Sequence, residues 1–151
     1  MRMFVNMIIL VLVVALVQIA LSSIWYSPIL FGNFWMRING MEETIKNATK
    51  EERKKIEAEA IPFYMIQAGL QVFMNICLYL LIHWVNQFVG INPYYAILLS
   101  FSLWVGVMVP LLIQNEIWGS LVNKDKVFKV AIVAGQLLIS TIIALVTFSI
   151  F

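Results

Sequence analysis

The chain has 151 residues, 62% hydrophobic and only 12% charged, with a mean hydropathy of +0.93. A soluble globular domain carries about 25% charged residues, so this composition excludes one and marks an integral membrane protein. Ten Lys and Arg against eight Asp and Glu leave +2, too weak a field to argue for nucleic acid as a partner.

A hydrocarbon core about 30 Å thick is crossed by about 20 helical residues rising about 1.5 Å each. Four apolar runs meet that length, at about 3–22, 62–84, 93–118 and 127–151. Backbone groups in lipid are satisfied internally, and apolar runs this continuous achieve that only as helices. The expected fold is all-α: one domain over 1–151, a polytopic membrane four-helix bundle. The first run has Arg2 ahead of it and the small residues Ala20, Ser22 and Ser23 behind it, as a signal peptide would. Its apolar stretch exceeds the roughly 7 to 15 residues of a signal core, so it reads as a span.

After the first span comes the most distinctive segment, Trp25-Tyr26-Ser27-Pro28-Ile29-Leu30-Phe31-Gly32-Asn33-Phe34-Trp35-Met36. Pro28 and Gly32 interrupt regular helix where five aromatic side chains gather. Trp and Tyr favour the headgroup level, so Trp25, Tyr26, Phe31 and Trp35 read as an interfacial aromatic belt around a turn. The alternative is a short re-entrant or lid segment in which Ser27 and Asn33 face water.

This segment also carries a resemblance. Trp25-Tyr26-Ser27-Pro28, Leu30-Phe31-Gly32 and Trp35-Met36, with Trp104-x-Gly106 and Trp118 later, resemble a small four-helix membrane protein family of microbes known only as a domain of unknown function. The resemblance implies the fold over nearly the whole chain and supplies no activity, ligand or catalytic residue.

From Met41 to Ala60 six acids and five bases collect with few apolar residues, so a solvated helix is expected. Glu42 with Lys46 and Glu51 with Lys55 are favourable i, i+4 pairs, Arg53 with Glu57 and Lys55 with Glu59 run in the weaker order, and Thr49 with Glu52 has capping-box spacing. Its near-neutral charge argues against a dedicated anionic-lipid patch. It reads as an extension of the second span, or as a helix that docks a partner. Pro62 and Pro93 each suit a first helical turn, with Asn92 as the cap before Pro93.

Nine of the ten basic residues, Arg37, Lys46, Lys50, Arg53, Lys54, Lys55, Lys124, Lys126 and Lys129, fall in or beside the first and third connections. The positive-inside rule makes loops 23–61 and 119–126 cytoplasmic and both termini external, in an inner or plasma membrane. Asn47-Ala48-Thr49 has the glycosylation pattern but faces the cytoplasm on this topology, so it reads as a chance match.

Polar residues within the spans fall into seams. Gln67, Gln71, Asn75, Tyr79 and His83 follow at i, i+4 spacing, a stripe drifting only about 40° per step. Ser102, Gly106, Pro110, Gln114 and Trp118 do the same, and Lys129, Gln136, Ser140 and Thr147 share a face. The first span offers only Asn6, Gln18 and Ser22. Seams facing one another are expected of packing, because amides and hydroxyls in lipid must find partners. The alternative is that Gln67, Gln71, Asn75, Tyr79, His83, Ser102, Gln114, Gln136 and Ser140 line a water-accessible cavity. Such a cavity would need a second subunit, or a kink at Pro110 where the ring removes a hydrogen bond to Gly106. His83 and Glu116, the ionisable groups in or near spans, sit near helix ends and read as interfacial rather than proton-coupling. A proton-coupled exporter needs a membrane-embedded carboxylate, and the first span has none.

Cys77, the single cysteine, excludes an intrachain disulfide and reads as packing. One His, no cluster with metal-ligand spacing and no phosphate loop point to no enzyme, no metal and no cofactor. A single His could still ligate a haem, but one unpaired ligand candidate is weak evidence for it. The expected function is that of a structural or accessory membrane component, with the bilayer and a homo-oligomer or membrane protein as partners. The rival is a subunit of an oligomeric small-molecule or ion transporter or channel.

Overall fold

A computed structural model describes residues 2–119 and 124–151, and four of its helices are long and apolar enough to cross a membrane. Helix α1 (Arg2–Trp25) is followed by two short helices, α2 (Gly32–Ile38) and α3 (Glu42–Asn47). Helix α4 (Lys50–Val89) runs for 40 residues. The third span consists of α5 (Pro93–Leu103), a π-helical turn at Trp104–Met108, and α6 (Val109–Gly119). Helix α7 (Lys124–Ile150) completes the chain. There is no strand among the described residues.

Helix boundaries follow from local chemistry. The Asn92 side chain accepts from the Tyr95 N–H at 3.1 Å with Pro93 at the first turn, as the sequence predicts. The charged segment departs from expectation in being two helices rather than one. It breaks at Ala48 and Thr49, where Thr49 takes extended backbone and forms a full capping box with Glu52 that starts α4. Of the expected ion pairs, Glu42 with Lys46 closes at 2.6 Å and Lys55 with Glu59 at 4.0 Å.

Pro62 does not open a helix; it lies inside α4. Its ring deprives the Ala58 carbonyl of a partner, but Ala58 is exposed on the charged arm, where water replaces the lost bond. The arm and the second span are therefore one continuous helix. It ends at Gly90, whose φ of +66° suits a residue without Cβ, and the Asn86 side chain accepts from the Ile91 N–H at 2.6 Å.

The expected irregularity in the third span takes the form of the π turn. Because Pro110 has no N–H to give Gly106, the preceding turn widens and the Val109 N–H bonds the Trp104 carbonyl five residues back. Helix α7 is the hub: it packs against α1, α4 and the third span, and the third span leans chiefly on α7. The core gathers Val11, Val14, Leu78, Ile82, Ala96, Ala144, Leu145 and Phe148. Exposed Leu, Ile, Val and Phe cover the outside, as a helix surface in contact with lipid requires.

Candidate functional site

The turn after α1 is built from the backbone upward. The Ser27 carbonyl accepts from both Leu30 and Gly32, and the Phe31 N–H reaches the Trp25 carbonyl at 3.1 Å. The chain thus folds back tightly onto the end of α1. A Cβ on Gly32 would overlap the carbonyl groups of Tyr26 and Ser27, so only glycine fits. The aromatics make specific contacts: Trp25 stacks at a tilt on Phe31 at 4.9 Å and Tyr26 on Trp35 at 5.1 Å. Lys129 lies over the Trp35 ring at 5.8 Å. The Trp25 indole donates to the Ile132 carbonyl of α7 at 3.2 Å, and its ring lies against Gly135. Of the two residues proposed to face water, Asn33 is exposed and donates to the Pro28 carbonyl, while the Ser27 hydroxyl is buried without a partner.

Deeper in the bundle the polar residues of three helices meet. Gln18, 1% exposed, donates to the Ser140 carbonyl at 2.8 Å, and its own carbonyl accepts from Gln71 and Asn75, each at 2.7 Å. Gln136 donates to the Ser22 hydroxyl at 2.8 Å and to the Ser140 hydroxyl at 3.3 Å, and Ser22 donates to the Gln18 carbonyl. The result is a closed network tying α1, α4 and α7 together. One buried acceptor, the Asn75 side-chain oxygen, is left without a protein partner. Gln18 is the residue the seams did not single out, and it is the hub of the network. The signal was available: in an apolar helix, Gln18 and Ser22 at i, i+4 spacing must find partners on other helices.

The remaining seam residues divide. Tyr79 is half-buried, stacked parallel on His83 and edge-on against Phe148. Gln67 and His83 are exposed, so the second-span stripe turns inward only at Gln71, Asn75 and Tyr79. The third-span stripe does not face the interior of this bundle: Ser102, Gly106, Pro110 and Gln114 are all exposed. Ser102 donates to its own Leu98 carbonyl, whereas Ser100, two residues earlier, is the buried one. The wheel places residues on a common face without fixing which face turns inward. Trp104 and Ser100 supply polar ties to α7 instead, the Trp104 indole donating to the Ala134 carbonyl at 2.6 Å and the Ser100 hydroxyl to the Thr141 carbonyl at 3.5 Å. Cys77 is exposed, not packed in the core. The loop residues 120–123 and the side chains of Glu116, Trp118 and Lys124 lie outside the described residues.

Two grooves flank the network. One of about 440 Å³ lies between the end of α1 and α4, lined by Ser22, Tyr26, Tyr64, Gln67 and Gln71 among others. Burial pushes the Tyr26 phenol up. The other, of about 320 Å³, lies at the opposite end beside Tyr79, His83 and Asn86. Among the described residues no three of His, Cys, Asp and Glu come together as metal ligands would.

Residues 9–149 match the family model DUF1761, described as a protein of unknown function. The chain belongs to this family. Within DUF1761, the match takes in most or all of each of the four spanning helices, the turn at Trp25–Gly32 and the Gln18 network. No curated protein and no solved structure matches the chain.

Proposed function

We propose that this DUF1761 protein is a structural or accessory component of a cell membrane, multi-pass, with external termini and the segment 23–61 in the cytoplasm. The observation that carries this reading is the closure of the Gln18 network. Gln18, Gln71, Asn75, Gln136 and Ser140 bond mainly to one another across helices, which is what polar side chains do when they hold a bundle together. A path for solutes within one copy of the chain would need the third span to present its polar stripe inward, and Ser102 and Gln114 face outward. The reading assigns the protein no reaction and no cofactor.

The arm formed by α3 and the first turns of α4 is the part offered to a membrane protein partner. It projects exposed Lys, Arg and Glu on a helix continuous with the span, and α3 has no buried residue. Nucleic acid has no place in the reading, because that arm has nearly balanced charge.

The test is flux against stability. In proteoliposomes the protein should pass K⁺, Na⁺ and protons no faster than protein-free vesicles, and Gln71→Leu and Asn75→Leu should alter only stability. Flux that these two substitutions abolish while the protein stays folded would overturn the reading in favour of a transporter or channel subunit.

A further inference from the structure

The groove between the end of α1 and α4 differs from the network beside it in having several hydrogen-bonding side chains left over. Ser22 and Ser23 donate to their own helix, at the Gln18 and Ile19 carbonyls, and the Gln71 amide donates to Gln18. Tyr26, Tyr64 and Gln67 line the same groove, and their side chains have no hydrogen-bond partner among the described residues. Its volume, about 440 Å³, is in the lower part of the range of small-molecule sites, enough for a ring-sized group and too small for a whole two-chain lipid.

The groove is open on the outer side. Every residue from Ile61 to Gln67 is exposed, and Phe63 and Ile24 offer apolar surface nearby. Nothing with a full charge lines it, since its polar groups are phenols, hydroxyls and amides. A charged headgroup entering it would lose hydration without gaining a counter-charge, whereas an uncharged oxygen-bearing head would exchange water for Tyr and Gln donors. The tyrosines place these donors where a lipid head meets its tail.

We propose that this groove binds the head of a lipid whose polar part is an uncharged ring bearing carbonyl or hydroxyl oxygens, its apolar tail lying along the outer faces of α1 and α4. Tyr26, Tyr64 and Gln67 hold the oxygens, and Ile19 and Ala68 contact the ring. The site goes beyond the accessory role and stands whether or not a partner meets the arm.

The test is native mass spectrometry of the protein released from nanodiscs doped equally with a long-chain quinone, a monoglucosyl diacylglycerol and phosphatidylglycerol. One of the two neutral-headed lipids should be retained at least about tenfold over phosphatidylglycerol, the quinone if the groove serves carbonyl acceptors and the glucolipid if it serves hydroxyls. The double substitution Tyr64→Phe with Gln67→Leu should lower that retention about tenfold. Both residues are exposed, so its unfolding midpoint should match wild type, and Tyr64→Phe alone should give an intermediate loss. Equal retention of phosphatidylglycerol, retention of neither neutral lipid, or retention untouched by the substitutions would overturn the proposal.

Discussion

Replacing Gln18 by Leu removes the centre of the polar network while nearly preserving side-chain volume, so the effect read is that of hydrogen bonds rather than of a cavity. Three interhelical bonds are lost: one donated to Ser140 and two accepted from Gln71 and Asn75. Interhelical side-chain hydrogen bonds in membranes average about 0.6 kcal/mol and reach about 1.7, so the expected loss is about 2 to 5 kcal/mol. Asn75→Leu removes one of those bonds and also an acceptor that already lacks a partner, so it should cost about 1 kcal/mol or less. Reversible unfolding in bicelles, read by steric trapping, measures both, and the double variant gives their coupling. A loss below about 0.5 kcal/mol for Gln18→Leu, or an equal cost for Asn75→Leu, would refute the claim that this network holds three helices together.

Gly32→Ala should destabilise by about 1 to 3 kcal/mol in the same assay, because its Cβ has nowhere to go beside the Tyr26 and Ser27 carbonyls. Trp104→Phe, which keeps an aromatic side chain but removes the donor to Ala134 and part of the ring volume, should cost at least about 0.5 to 1.5 kcal/mol, and a neutral result would deny that bond a role. Thr49→Ala should weaken the start of α4 by about 0.5 to 2 kcal/mol, seen as faster hydrogen exchange at residues 50–53. The Glu52 carboxyl is held below the usual carboxylate range by hydrogen bonds from the Thr49 backbone and side chain. The cap therefore contributes fully above the unfolded pKa and fades as pH falls through the lower folded one, so the same amides should lose protection only in acid below about pH 4.

The legible parts of the fold are those that chemistry decides locally. Span lengths follow from hydropathy, and the caps at Asn92 and Thr49 follow from residues three apart. The continuity of α4 through Pro62 was not legible, because a proline is tolerated or not according to whether water reaches the carbonyl it orphans. The candidate site was half legible. Gln71, Asn75, Gln136 and Ser140 announce themselves by period, and all four join the network. Ser102 and Gln114 share that period but face away, since facing is settled by which helix lies alongside, and α7 meets the third span on the side of Ala96 and Ser100. Gln18 was passed over because a single amide makes no stripe, yet it is the residue whose two ends both need partners.

The central position of α7 has a consequence for biogenesis. Of the four spans, α7 is made after the other three, and it supplies the main neighbour of the third span, the carbonyls for Trp25 and Trp104, and one wall of the Gln18 network. Until it enters the bilayer, the third span stands among lipids and Gln18 lacks one of its three partners. Assembly of the first three spans therefore waits on α7. A chain stopped before α7 presents the cell with inserted but unassembled helices, whose unsatisfied amides are a feature by which membrane quality control could tell an unfinished copy from a finished one.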